Sequence, residues 1–261
     1  MTAFAGRIQD QEVSARGVSP GARRRAAIEA SRRSFLRLVS HELRTPLNSI
    51  IGFSEIIARE LHGPISDPRY REHAEMVNAS GLKLLKLVND IIEIARLEEG
   101  VADLDIRPED PLSAIEDAVE TIEADAARRR VRLDIPKDPA AWVEADHRGL
   151  RTALVQLLQN AVTFSPEGGC VRVRLRPIGD TMAIEVEDDG PGVPIQDLQR
   201  ITRPFEQGSD ALTRYTEGAG LGLPMARLFA ENMGGRLRLS CEPGSGLCAA
   251  IHLRTANVTR T

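Results

Sequence analysis

Two apolar stripes at helical spacing constrain this chain more than any other feature. From Phe35, apolar residues recur at Val39, Leu43, Leu47, Ile50, Ile57 and Leu61, in steps of three, four or their multiples, which mark one face of a long helix. His62-Gly63-Pro64 and then Asp67-Pro68 interrupt the pattern, because proline lacks an N–H and restricts the residue before it. A second run follows, with Val77, Leu84 and Ile91 at heptad spacing and Leu87 and Ile94 between them, and Glu98-Glu99-Gly100 closes it. The expected element is a helical hairpin. Each helix carries a stripe that a lone hairpin cannot cover, so two copies in a four-helix bundle are the simplest way to bury both, and a homodimer is expected.

Beyond Gly100 the texture changes to short alternating stretches mixed with helical ones, so the fold class expected for the whole chain is α+β. Strands are expected over 131–135, 171–175, 182–186, 236–239 and 249–253, and helices over 111–128, 147–164 and 223–232. The domains follow: an N-terminal arm over 1–22 with no room for a sensor domain, the helical hairpin over 23–100, a linker over 101–107, an α/β domain over 108–255 and a tail over 256–261. A chain of 261 residues has room for two such cores.

With 42% hydrophobic residues, 28% charged residues and a net charge of -4, the composition is that of a folded protein. The negative balance argues against nucleic acid as a partner, and the basic residues Arg23, Arg24, Arg25, Arg32 and Arg33 read as a solvated helix face. Charge breaks every long apolar run, so neither a signal peptide nor a membrane span is expected, and the cytoplasm is the expected compartment. Cys170, Cys241 and Cys248 lack metal-ligand spacing and are expected as buried thiols.

His41 falls between the stripe positions Val39 and Leu43, on a flank where its ring is accessible. A neutral imidazole there has a lone pair free to attack phosphorus. Glu42 can take a proton from one ring nitrogen and stabilise the cation as the other attacks. Thr45 lies one turn on, and Pro46 should bend the helix at this site. In isolation, a His-Glu pair on a helix is more often merely a solvated surface pair.

A histidine that attacks phosphorus would need a phosphoryl donor, and three downstream segments bear on one. The helix Leu154 to Ser165 carries Asn160, whose amide oxygen suits magnesium and equally suits a capping role. Asp188-Asp189-Gly190-Pro191-Gly192 follows a strand, where a carboxylate can accept from an adenine amino group; by itself it is also a good turn. Gly218-Ala219-Gly220-Leu221-Gly222 enters a helix, where free amides favour phosphate, but it is neither a Walker A loop nor a dinucleotide fingerprint.

The string from Phe35 to Leu47, continued by Asn48 to Glu55, closely resembles the H-box of histidine kinases with a HisKA-type domain, over roughly residues 30 to 98. The three downstream segments, in this order and spacing, resemble the N, G1 and G2 boxes of the GHKL ATP-binding fold over roughly residues 108 to 254. The resemblance implies a two-component histidine kinase: ATP with Mg2+ phosphorylates His41, and the phosphoryl group passes to an aspartate on a receiver domain of a response regulator. It makes Glu42 the acid/base and Thr45 the residue associated with dephosphorylating the partner. It makes Asn160 the magnesium ligand, Asp188 the adenine-reading residue, Gly190 and Gly192 the G1 glycines, and Gly218, Gly220, Leu221 and Gly222 the phosphate loop. Phe205, in Arg203 to Gln207, falls in the F-box, and 208–217 would be a mobile ATP lid.

The chain departs from the family pattern at Gln156, where another Asn is usual, at Thr163, where a phosphate-facing Lys is common, and at Thr202, where the F-box begins with Phe. Losing a cation beside the triphosphate predicts nucleotide binding with slow turnover. The same departures leave open a scaffold that uses nucleotide only as a switch, and the second domain alone would also fit a GHKL ATPase of the chaperone or topoisomerase kind. No receiver follows the last expected strand, so a separate acceptor is expected, with signals arriving through an upstream protein or the basic N-terminal segment.

Overall fold

The computed structural model describes residues 47–61, 63–138, 141–204, 206, 220–241 and 246–256. Residues 47–58 form α1, and Pro68–Glu98 forms the 31-residue α2. Asp67 caps α2 by accepting the N–H of Arg69, with Pro68 at the first helical position, where its missing N–H costs nothing. Leu61, expected on the first helix, lies past its end, because Glu60 takes a positive φ of 52° and turns the chain. The two helices approach closely at Gly81. A Cβ there would stand 2.8 Å from the Ile51 side chain, and the Asn78 amide donates to the Ile51 carbonyl at 3.0 Å.

α2 ends in a Schellman motif: Val101 N–H reaches the Arg96 carbonyl at 3.0 Å and Gly100 N–H the Leu97 carbonyl at 3.1 Å, with Gly100 at φ 62°. Residues 101–106 have no regular secondary structure, with a tight turn closed by Leu104 N–H on the Ala102 carbonyl at 3.0 Å, and lead into β1 (Arg107–Glu109). There follow α3 (Pro111–Arg129), β2 (Arg132–Asp134), β3 (Val143–Ala145), α4 (His147–Phe164), β4 (Cys170–Ile178), β5 (Thr181–Glu187), a single 3-10 turn (Ile195–Asp197), α5 (Gly222–Asn232), β6 (Arg236–Cys241) and β7 (Leu247–Arg254). The five expected strands and three expected helices of the second domain are all present. β1 and β3 were not legible in sequence, because strands of three residues show no period.

β1 and β3 pair antiparallel in a two-stranded ribbon, and the main sheet has the order β2-β4-β5-β7-β6, with β2 parallel to β4 and every other pair antiparallel. Alternation along the strands sends Val171, Val173, Met182, Ile184, Val186, Ile251 and Leu253 to the face covered by α3, α4 and α5. The other face carries Arg172, Arg174, Arg176 and Glu185, with an Arg176–Glu185 ion pair at 3.1 Å. Ile94 and Leu97 at the end of α2 join the same core, and the Asn232 amide of α5 donates to the Leu97 carbonyl at 3.0 Å. The thiols differ from expectation. Cys170 is buried, but Cys241 and Cys248 are only partly so, since Cys241 ends the edge strand β6 and Cys248 points to the outer face of β7.

Candidate active site

Asp188 stands where β5 runs out. Its N–H donates to the Leu247 carbonyl at 3.1 Å, continuing the β5–β7 ladder by one bond, and its Oδ1 accepts from Leu247 N–H at 3.1 Å and Gly190 N–H at 2.9 Å. The residue is 3% exposed. Burial pushes its carboxyl above the ordinary range, reinforced by the Asp189 and Glu187 carboxylates, while the two amide bonds pull the other way. Both amides go to Oδ1, and no hydrogen bond among the described residues engages Oδ2.

Glycine is required around this carboxylate. A Cβ on Gly190 would stand 2.7 Å from Asp188 Oδ1 and 2.9 Å from the Phe164 carbonyl oxygen. At Gly246, with φ +83°, it would stand 1.8 Å from the Asp188 carbonyl oxygen. Sequence reasoning named Gly190 and missed Gly246. The only available signal was a glycine shortly before a strand, and its partner is remote in the chain.

Asn160 lies half-buried on α4, one turn after Gln156. The opposite flank of α4, with Leu154, Leu157, Leu158, Ala161 and Val162, is buried in the core. Gln156 Oε1 comes within 3.1 Å of the point where a Cβ would stand on Gly222, the first residue of α5. The turn bearing Asn160 is therefore near the start of α5. Leu221, at the N-cap of α5, has no polar side chain and makes no side-chain capping bond to the amides of the first turn. Gly220 has φ +69°, a conformation that favours glycine, and Leu221 is buried. The structure thus sets Gly222, at the start of α5, against Gln156, one turn before Asn160, and sets Gly190 against the Phe164 carbonyl at the end of the same helix, with Asp188 and Gly192 flanking Gly190 on the loop after β5. His41, Glu42, Thr45, Phe205 and Gly218 lie outside the described residues.

Two departures from the family pattern have a local account. Thr163 Oγ1 donates back to the Gln159 carbonyl at 2.7 Å, so its hydroxyl is spent on its own helix. Thr202 Oγ1 donates to the Gln199 carbonyl at 2.8 Å, and its own carbonyl accepts from Arg227 Nε on α5 at 3.4 Å. Neither side chain supplies a cation. Among the described residues no group of three or more His, Cys, Asp or Glu could hold a metal ion.

A helix layer over a mixed sheet, with a buried carboxylate at a strand end and a glycine-led helix in that layer, defines a class of nucleotide-handling ATPase domains. The family model described as histidine kinase-, DNA gyrase B-, and HSP90-like ATPase matches residues 145–257, and that of the His Kinase A (phospho-acceptor) domain matches residues 31–100. The chain belongs to the histidine kinase family and carries its catalytic core. It is 38% identical over 225 residues to the non-motile and phage-resistance protein of Caulobacter vibrioides, covering 84% of this chain and 26% of that protein. With histidine protein kinase DivJ of the same organism it shares 37% over 229 residues, covering 87% and 38%. With the cell-division control histidine kinase PdhS of Brucella suis it shares 34% over 227 residues, covering 83% and 22%. The chain thus spans well under half the length of these relatives. Among solved structures, full-length ShkA in complex with AMPPNP superposes with a TM-score of 0.73 at 29% identity, covering 85% of this chain and 46% of that one. Among the described residues, no helix is long and apolar enough to cross a membrane.

Proposed function

We propose that this chain is the transmitter core of a two-component system, in which residues 108–255 bind ATP and residues 23–100 carry the phosphoacceptor His41 in a homodimeric bundle, with 101–107 as the linker. The buried Asp188 carboxylate carries the reading. Its Oδ1 is held by two backbone amides, which leaves Oδ2 for a donor such as the exocyclic amine of adenine. The complex of ShkA with AMPPNP supports the same assignment. Gly190 and Gly192 let the loop beside the purine close against Phe164 and Cys241, and the first-turn amides of α5, which opens after Gly220 and Leu221, offer donors to the phosphates. Phe205 and Gly218, outside the described residues, are assigned to the same site by the resemblance alone.

Asn160 would hold Mg2+ through its amide oxygen, and the bound ion would neutralise charge between the phosphates. A ring nitrogen of His41 attacks the γ-phosphorus as the bond to the ADP oxygen breaks, while Glu42 takes the proton from the other nitrogen. The phosphoryl group then moves to an aspartate of a response-regulator receiver domain in the cytoplasm, and Thr45 orients water when the same bundle removes it from that partner.

The exposed stripe on the hairpin supports the dimer. Ile50, Ile57, Val77, Leu84 and Ile91 are all between 38% and 50% exposed in the single chain, although they occupy the apolar positions of both helices. The test is incubation with γ-labelled ATP. Acid-labile, base-stable label that disappears in His41→Gln and transfers to a receiver domain is expected. Intact ATP binding with no label would point instead to a scaffold that uses nucleotide as a switch.

A further inference from the structure

The loop after β5 is anchored on both sides of Gly190. On the near side Asp189 is fixed, with Oδ1 accepting from Arg172 Nη1 at 2.8 Å and Oδ2 from Cys170 N–H at 2.8 Å. On the far side the anchor is a thiol. Cys241 Sγ accepts the N–H of Val193 at 3.2 Å and donates to the Gly246 carbonyl at 2.9 Å. Gly192 lies directly against the sulfur: at φ +75°, a Cβ there would stand 2.6 Å from Sγ and 3.2 Å from the Gly246 oxygen. Gly246 in turn precedes Leu247, whose N–H reaches Asp188 Oδ1 at 3.1 Å. One side chain therefore bridges the two backbone segments that frame the Asp188 carboxylate.

We infer that Cys241 is a positioning residue for the nucleotide site, setting the separation between the loop at Gly192-Val193 and the approach to β7 at Gly246-Leu247. The inference rests on the reading of Asp188 as the adenine-contacting group. The thiol acts through backbone and touches no reacting atom. Its suitability is chemical, since one atom both accepts and donates and fills the space that Gly192 leaves. Serine keeps both functions at smaller size. Alanine and valine keep neither. Without the bridge the loop can move away from Gly246, and nucleotide must then order it on binding, which weakens affinity but leaves the bound geometry, and so the chemical step, intact.

The experiment uses the full chain as wild type, Cys241→Ser, Cys241→Ala and Cys241→Val, titrated calorimetrically with ADP and Mg2+ and assayed for autophosphorylation across a range of ATP. Both apolar variants are expected to raise the ADP Kd and the ATP KM about three- to tenfold, the worth of one net hydrogen bond, with kcat at saturating ATP unchanged. Cys241→Ser is expected to return both constants to within about twofold of wild type. The valine variant, a good strand former, guards against loss of fold in the alanine one. Equal Kd values in all four proteins would overturn the inference, as would Cys241→Ser binding as weakly as Cys241→Ala. If wild type fails to bind ADP at all, the nucleotide-site reading falls, and this inference with it.

Discussion

Asp188 and Leu247 hold each other twice: the N–H of Asp188 donates to the Leu247 carbonyl, and the N–H of Leu247 donates to Asp188 Oδ1, both at 3.1 Å. A side chain thereby replaces the backbone acceptor that the ladder lacks beyond Glu187. The carboxylate is removed from water yet supplied with donors, so its burial is tolerated rather than favourable.

Asp188→Asn separates binding from folding. The amide oxygen can still accept from Leu247 and Gly190, but an N–H2 group replaces the acceptor offered to adenine. ATP affinity is expected to fall at least about tenfold by calorimetry. Because the wild-type carboxyl is raised by burial, the stability it allows is greatest below the ordinary carboxylate range and declines as pH climbs through the raised value. The variant lacks that decline, so its melting temperature at neutral pH is expected to equal or exceed that of wild type.

Gly246→Ala is expected to destabilise the second domain by about 3 kcal/mol or more in urea unfolding, since its Cβ would stand 1.8 Å from backbone oxygen and φ is +83°. Gly168→Ala is the control. It shares a positive φ of +80° but meets nothing within 4 Å, so only about 1 to 2 kcal/mol is expected.

His147 ties three elements together, with Nδ1 2.7 Å from Glu109 of β1 and Nε2 2.9 Å from Asp117 of α3. The bonds to these carboxylates raise its pKa, against a smaller opposing effect of burial. Its contribution to stability is therefore complete below the unfolded value near 6.5 and lost as pH rises through the folded one. His147→Gln should be less stable than wild type at pH 6 and approach it at pH 9, as read by denaturant midpoints.

Leu84→Glu with Ile91→Glu places charge on the exposed stripe of α2, where both side chains are at least 38% exposed in the single chain. Sedimentation should show a monomer in place of a dimer. ADP binding should persist, because neither residue belongs to the core around β5 and α5.

Thr163→Lys restores a cation at the position where the family commonly has one and gives up only the back-bond to Gln159. Autophosphorylation at saturating ATP should rise about tenfold, equivalent to about 1.4 kcal/mol of added charge stabilisation in the transition state.

Much of the fold and part of the site could be read in the chain itself. The breaks at Pro64 and Pro68 and the heptad run from Val77 to Ile91 located the hairpin, since proline chemistry and helical period are local. α3 and α4 were legible from their apolar periodicity, and the structure adds an aspartate cap to each, Asp110 and Asp146. The short strands β1 and β3 were not, for they are held by pairing with each other and not by pattern.

Sequence by itself supplied the candidates for a nucleotide site: the acidic and glycine pair at Asp188 and Gly190, the amide at Asn160 and the glycines entering α5 were singled out by residue type and order. Tertiary structure decided what surrounds them. Gly246 and Cys241 lie more than fifty residues from Asp188 in the chain, and only the pairing of β5 with β7, and of β7 with β6, sets them against it. A hydrogen bond or steric exclusion across a sheet depends on strand register, which no local period encodes, so the groups that hold the Asp188 carboxylate in place emerge only once the sheet is assembled.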